Sequence, residues 1–267
     1  MDYFWDVTIK PRFVLSKNKI KLIRSLESKK NRTSTGLFIA EGEKMIFDLL
    51  KSDIGISEIF CTKNLEQSVL KAKASCNLEV VTKDEISKIS FLKTPSELVA
   101  ICKIPELALD WNKLKKELVL VLDEIQDPGN LGTIIRLADW FGIRTIICSE
   151  NSADLFNPKV IQSTMGGFAR VNVHYMNLEI LLKQAAEVNI PIYGTFLDGE
   201  NIFQTELGEN GFVIMGNEGN GISSKLTSKI SKRLTIPSYP SNQLTSESLN
   251  VAVATSIICA EFRRRIV

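Results

Sequence analysis

Cysteine is scarce in this chain and follows no pattern. The five cysteines, Cys61, Cys76, Cys102, Cys148 and Cys259, lie far apart, are odd in number and contain no C-x-x-C pair. That argues against a disulfide framework and against a thiolate zinc site, so reduced, buried thiols are expected and no metal is. Long apolar runs are missing too, and none reaches the ~18 residues that would suggest a bilayer span. The opening stretch MDYFWDVTIKPRF carries acids and aromatics where a secretory signal has a basic segment leading into an apolar one. No such signal is read there, and a cytoplasmic location is expected. Neither sign of charge dominates: 33 Lys and Arg stand against 31 Asp and Glu, so net charge alone does not announce a nucleic-acid partner. The single histidine, His174, lies in NVHYMN; the segment reads as a strand edge, and no catalytic role is expected of it.

What is present is ample apolar material, 44% of 267 residues, enough for one or two cores, with the length favouring two domains. Charge is concentrated in one place. From Ser16 to Arg32, seven basic residues face one acid, Glu27. Ile20, Ile23 and Leu26 recur there at helical spacing, which predicts an amphipathic helix with a basic outer face running into a basic loop. Lys19, Lys21, Arg24, Lys30 and Arg32 are the candidate contacts to a polyanion, although an ordinary solvated helix fits the same pattern.

Strand-like and helix-like segments then alternate through GLFIAEGEKMIFDLLKS, ISEIFCTK, LEVVTKDEISKIS and LVAICKI, predicting a small α/β domain over residues 1–105. The segment over 106–117, ELALDWNKLKKE, preceded by Pro105 and mixed in charge, reads as a linker. Over 118–267 the continuous apolar strand LVLVLDEI is followed by the helix LGTIIRLADWFGI and by four further strand-like runs. Such unbroken runs between helices indicate a parallel sheet covered on both faces, with ligands expected at the carboxyl ends of its strands.

Three segments at those ends carry polar residues. DEIQDPGNLGTIIRLADWFG delivers Asn130, with the character of a helix cap, and Arg136 six residues on, a spacing that allows both to border one crevice. Taken alone it also fits a capping Asn and a surface Arg. GFVIMGNEGNGIS surrounds Asn217 and Glu218 with glycines; its spacing is not that of a dinucleotide fold and no P-loop lysine follows, so nicotinamide and nucleotide-triphosphate chemistry are unsupported. A tight strand-to-helix turn is the plainer reading. LTIPSYPSNQLTSESLNVAVATSIICAEFRRR holds Ser248, a candidate cap for the last helix, and Asn250.

In this order, N-x-G-x-x-x-R, G-N-E-G-x-G-I-S and I-P-S…S-L-N-V-A-V-A resemble the three signature motifs of the SpoU/TrmH family of RNA ribose methyltransferases, over about residues 118 to 267. SKNKIKLIRSL and FIAEGEKMI are similar to phrases of the L30e-like RNA-binding domain joined to several members. The resemblance implies a deep trefoil knot in the parallel-sheet domain, S-adenosylmethionine as cofactor, a homodimer whose active site gathers residues from both subunits, and methyl transfer to a ribose 2′-hydroxyl of ribosomal or transfer RNA. It further implies that backbone around Thr195, Gly216, Ile236 and Leu249 holds the cofactor with Asn217 and Glu218 nearby. Asn130, Glu218, Ser248 and Asn250 would arrange ribose and phosphate, and Arg136 would be the essential residue. An arginine ordinarily keeps its proton, so clamping phosphate or stabilising a 2′-oxyanion asks less of Arg136 than proton abstraction, for which Glu218 is the rival. This chain departs from the family's third motif by reading Ser238, Tyr239 and Pro240 after Ile236 and Pro237, where Met and Gly are frequent. A catalytically silent RNA-binding or ribosome-assembly protein is the competing reading, and the presence of both Arg136 and Asn250 favours the enzyme.

Overall fold

A computed structural model describes residues 15–72, 77–240 and 247–265. The opening stretch and Cys76 fall outside them; the other four cysteines are buried free thiols. The chain forms two compact units, Met1–Pro105 and Glu106–Val267.

In the first unit the basic segment is not one helix and a loop but two helices, α1 (Lys17–Ser25) and α2 (Lys29–Thr35). Ser16 caps α1 by accepting from the Lys19 amide, and the chain breaks at Leu26 to Ser28 before Gly36, left-handed at φ 65°, ends α2. Strand β1 (Leu37–Glu41), helix α3 (Glu43–Leu50), strand β2 (Ile56–Cys61), helix α4 (Glu66–Ala72), strand β3 (Leu78–Val80), helix α5 (Lys83–Ile89) and strand β4 (Leu98–Lys103) follow. Helix α5 starts in a capping box in which Thr82 and Glu85 satisfy each other's backbone amides. The sheet order is β1-β4-β2-β3, antiparallel except for the β2/β3 pair. Ile23 and Leu26 sit in its core with Ile39, Phe60, Ile86 and Val99.

The second unit begins inside the stretch expected to be a linker. Helix α6 (Trp111–Leu114) is capped by Asp110, and Leu114 is buried in that unit's core; residues 106–117 therefore belong to the packed unit. Then come β5 (Leu118–Leu122), α7 (Pro128–Trp140), β6 (Thr145–Cys148), α8 (Pro158–Ser163), β7 (Asn172–Tyr175), α9 (Leu178–Glu187), β8 (Ile192–Asn201), β9 (Gly211–Met215), α10 (Ser224–Thr227), β10 (Lys232–Thr235) and α11 (Val251–Arg264). The six strands lie in the order β10-β8-β9-β5-β6-β7, all parallel. Every residue of LVLVL in β5 is buried, as a central parallel strand requires. Val119 and Val121 pack with Leu178, Leu181 and Leu182 of α9, so the alternate residues Leu118, Leu120 and Leu122 are buried on the opposite face. Gly132 lets α7 lie against α8: a Cβ there would come within 2.4 Å of the Ser163 side chain. His174 is in the edge strand β7, half-buried, with its basicity lowered by burial.

Candidate active site

The sheet grows from β5 in both directions, through β6 and β7 on one side and β9 and β8 on the other. That change of direction opens a crevice at the strand ends, the usual ligand position in such folds. There Leu122 pairs with Met215, and the first two motifs leave the sheet side by side. Asp123, buried, accepts from the Ser223 amide at 2.7 Å and ties the two loops together.

The helix cap in the first motif is Asp127, not Asn130. Its Oδ1 accepts from the Asn130 amide at 2.8 Å, and Pro128 occupies the first turn, where a missing N–H costs nothing. The Asn130 side chain is thereby free to bridge the other two motifs. Its Nδ2 donates to Glu218 Oε1, and its Oδ1 accepts from Asn250 Nδ2 at 3.0 Å. Asn250 in turn caps α11, its Oδ1 accepting from the amides of Ala252 and Val253 at 3.0 and 3.3 Å. The cap expected at Ser248 is thus at Asn250, and Ser248 lies exposed two residues before it.

Gly216 ends β9 where no side chain fits, since a Cβ would lie 2.3 Å from the carbonyl carbon of Gly221. Asn217 turns inward: its Nδ2 donates to the Glu124 carbonyl at 2.9 Å, and its Oδ1 accepts from the amides of Gly219 and Asn220. Thr195 Oγ1 donates to the Ile214 carbonyl at 3.0 Å. It stands where β8 parts from β9, and the β8/β10 register jumps there from Gly194 to Glu200. The intervening excursion exposes Leu197 at 79%, with Arg233 stacked on Phe196 at 3.6 Å and paired to Asp198. Ile236 follows β10, and Leu249 precedes Asn250, partly exposed. The sequence gives no sign of the β8 excursion, because a register jump depends on the partner strand.

Arg136 is exposed on α7 and its side chain has no hydrogen bond or ion pair among the described residues. Six residues at ~100° each turn it roughly 120° away from Asn130 around the helix, so Arg136 does not join the cluster of Asn130, Glu218 and Asn250. The same face carries Trp140, 84% exposed.

Three of the five expected RNA contacts in the first unit are engaged within the protein. Arg32 is buried, 2% exposed, and donates to the carbonyls of Leu26 and Glu27 at 2.8 and 2.6 Å; it holds the break between α1 and α2 and cannot face RNA. Lys19 pairs with Glu58 at 2.7 Å. Arg24 donates to the Ser90 carbonyl at 2.6 Å and lies over the Phe91 ring. Lys21 and Lys30 are exposed.

Comparison with known proteins matches this arrangement. The SpoU rRNA Methylase family model fits residues 117–260, and the MRM3-like substrate binding domain fits residues 17–100. The chain belongs to the SpoU rRNA methylase family. Among curated relatives of this SpoU chain, the 23S rRNA (guanosine(2553)-2′-O)-methyltransferase RlmP of Bacillus subtilis is 33% identical over 247 residues, covering 92% of this chain and 96% of that protein. Among solved structures, a TrmH-family protein from Porphyromonas gingivalis superposes with a TM-score of 0.83 at 37% identity, covering 95% of this chain and all of that one. An AdoMet-bound rRNA methyltransferase from Sinorhizobium meliloti does so at 0.83 and 27% identity, covering 95% and 98%. Among the described residues no group of three or more His, Cys, Asp or Glu is placed to hold a metal, and no helix is long and apolar enough to cross a membrane.

Proposed function

We propose that this protein is an S-adenosylmethionine-dependent methyltransferase acting on a ribose 2′-hydroxyl of RNA, with ribosomal RNA as substrate in the cytoplasm. The observation that carries this reading is the Asn130 bridge, which joins the three motifs into one polar cluster at the crevice. The residues suit the cofactor: apolar Leu197 stands in the β8 excursion, Ile236 just after β10 and Leu249 just before α11, and the acid Glu218 is available for a positive sulfonium. Bound there, S-adenosylmethionine would supply an electrophilic methyl group to the 2′-oxygen and depart as the neutral thioether S-adenosylhomocysteine, with Glu218 the carboxylate in the cluster to take the hydroxyl proton.

The protein's task is then alignment and charge. Asn130 orients the Glu218 carboxylate, and Asn250 orients Asn130 while capping α11; exposed Ser248 stands just before that N-terminus, whose dipole favours phosphate. Arg136 is the group for phosphate or the developing 2′-oxyanion, through its fixed fork of donors. Since it faces away from Asn130 within one copy, it acts in a homodimer, reaching the partner's cluster. Exposed Trp140 on α7 and Val253 on α11, 84% and 48% accessible, are the apolar surface for that contact, and α7 and α11 pack together. The trefoil knot belongs to this reading, supported by the family likeness. The first unit would hold the RNA by shape and phosphate contacts, with Lys21 and Lys30 outward.

The test incubates the purified protein with radiolabelled S-adenosylmethionine and unmodified total RNA, then digests the RNA and chromatographs the nucleosides. Label in one 2′-O-methylnucleoside is expected, and its absence from ribosomal and transfer RNA alike would leave a silent RNA-binding protein.

A further inference from the structure

The loop after β9 closes on itself. The Asn217 amide donates to the Gly221 carbonyl at 3.0 Å, and the Gly221 amide donates back at 2.9 Å. Asn217 Oδ1 fills this loop, accepting from two of its amides at 2.9 and 3.1 Å, while Nδ2 points out to the Glu124 carbonyl at 2.9 Å. Two N–H groups at one atom and a carbonyl at the other settle which end of the amide is which.

Its partner Glu124 has a φ of +56°, in the left-handed region that side chains other than glycine's disfavour. The surroundings hold it there. The Glu124 amide donates to Ser149 Oγ at 2.9 Å, and its carboxylate accepts from Asn151 at 3.1 Å. The kink lies between Asp123, which holds the Ser223 amide, and the fully buried Ile125, and so sets the direction in which the chain leaves β5 for α7. Strained backbone of this kind persists where neighbours over-determine it and concentrates at functional sites.

We infer that Asn217 is a positioning residue: its amide clamps the left-handed Glu124 turn and so fixes where α7 presents Asn130 to Glu218. This rests on the methyltransferase reading and deepens it, moving the Asn217 side chain from the cofactor's partners to the frame of the site.

The experiment compares the full-length protein with Asn217→Ala, Glu124→Gly and the double variant, by thermal unfolding without cofactor, by calorimetric binding of S-adenosylmethionine and by methyl transfer. Glycine takes a positive φ without steric cost. Asn217→Ala is expected to lower the cofactor-free melting temperature by roughly 3 °C and methyl transfer by about tenfold. Glu124→Gly should raise the melting temperature by itself and return most of both losses in the double variant. A double variant no better than Asn217→Ala overturns the inference, as does a cofactor-affinity loss that Glu124→Gly leaves unrepaired, which is the mark of a direct ligand. Should Asn217→Ala not fold, Asn217→Asp sets an oxygen against the Glu124 carbonyl and must show the same rescue. If the wild type transfers no methyl group the methyltransferase reading fails, while the melting temperatures of the cofactor-free proteins still decide the role of Asn217.

Discussion

The basic segment of the first unit and helix α7 of the second each carry an arginine that the sequence marks as a candidate for holding RNA, and the structure uses them in opposite ways. Arg32 is 2% exposed and its guanidinium caps the carbonyls of Leu26 and Glu27. Arg136 is exposed and has no partner among the described residues. The difference teaches that density of charge along a chain says little about where charge is available. In the basic segment, tertiary contacts at Glu58, Ser90 and Phe91 take up Lys19 and Arg24, whereas on α7 no described residue competes for Arg136.

The largest effects should separate those two arginines. Arg136→Ala is expected to lower single-turnover methyl transfer by roughly 10²–10³-fold, the scale for losing one donor to a developing charge, with an unchanged unfolding curve. Near-wild-type turnover would remove Arg136 from the site. Asn250→Ala should lose a comparable amount of activity and about 1 kcal/mol of stability besides, because Asn250 caps α11; Asn250→Asp should keep the cap while losing the donor to Asn130. Arg32→Ala, by contrast, leaves two carbonyls short of a partner and should cost about 2–3 kcal/mol in denaturant unfolding. If it weakens RNA binding with no loss of stability, the contrast drawn here between Arg32 and Arg136 is broken.

Much of the fold was legible because fully buried parallel strands announce themselves: LVLVL and GFVIM are apolar without alternation. The three motifs were legible in order, and the structure joins them through one side chain, Asn130. The caps were misplaced for a physical reason. Asp127 and Asn130, or Ser248 and Asn250, are each competent at an N-terminus, and only the backbone geometry chooses, although Pro128 in the first helical turn pointed to Asp127. The left-handed Glu124 and the jump in β8 register are set by contacts distant in sequence, whereas Arg32 turns back onto Leu26 and Glu27 only because the chain breaks between α1 and α2, a break the basic pattern does not announce. The spacing from Asn130 to Arg136 allows both to border one crevice in sequence terms, but around a helix six residues diverge by roughly 120°.

A smaller effect concerns how the last helix is held. Glu261 on α11 is buried, and Arg264, then Arg265, hold its carboxyl down to about 2. Arg265 also donates to the carbonyls of Thr205 and Ile202 at 2.6 and 3.0 Å, so the pair anchors α11 to the end of β8. Because the folded value lies below the ordinary 4.5, the stabilisation is present above pH 4.5 and is lost as pH falls towards 2. Glu261→Gln should cost about 2 kcal/mol near neutrality and flatten the acid limb of the stability curve between those values. An acid limb as steep as that of wild type would mean other carboxyls govern it.

The smallest effect sharpens the comparison within the basic segment itself. Lys21 and Lys30 are exposed, whereas Lys19 is paired to Glu58 with both side chains about three-quarters covered. Neutralising Lys21 and Lys30 together should weaken RNA binding only a few-fold and reduce the slope of log affinity against log salt by about 1.5, as two lost phosphate contacts would. Cofactor affinity should not move. Lys19→Ala should leave that slope almost unchanged and instead cost about 0.5 kcal/mol of stability. If Lys19→Ala changes the slope as much as the double variant does, the ion pair to Glu58 opens when RNA binds, and the line between structural and RNA-facing charge in this unit is drawn by the substrate.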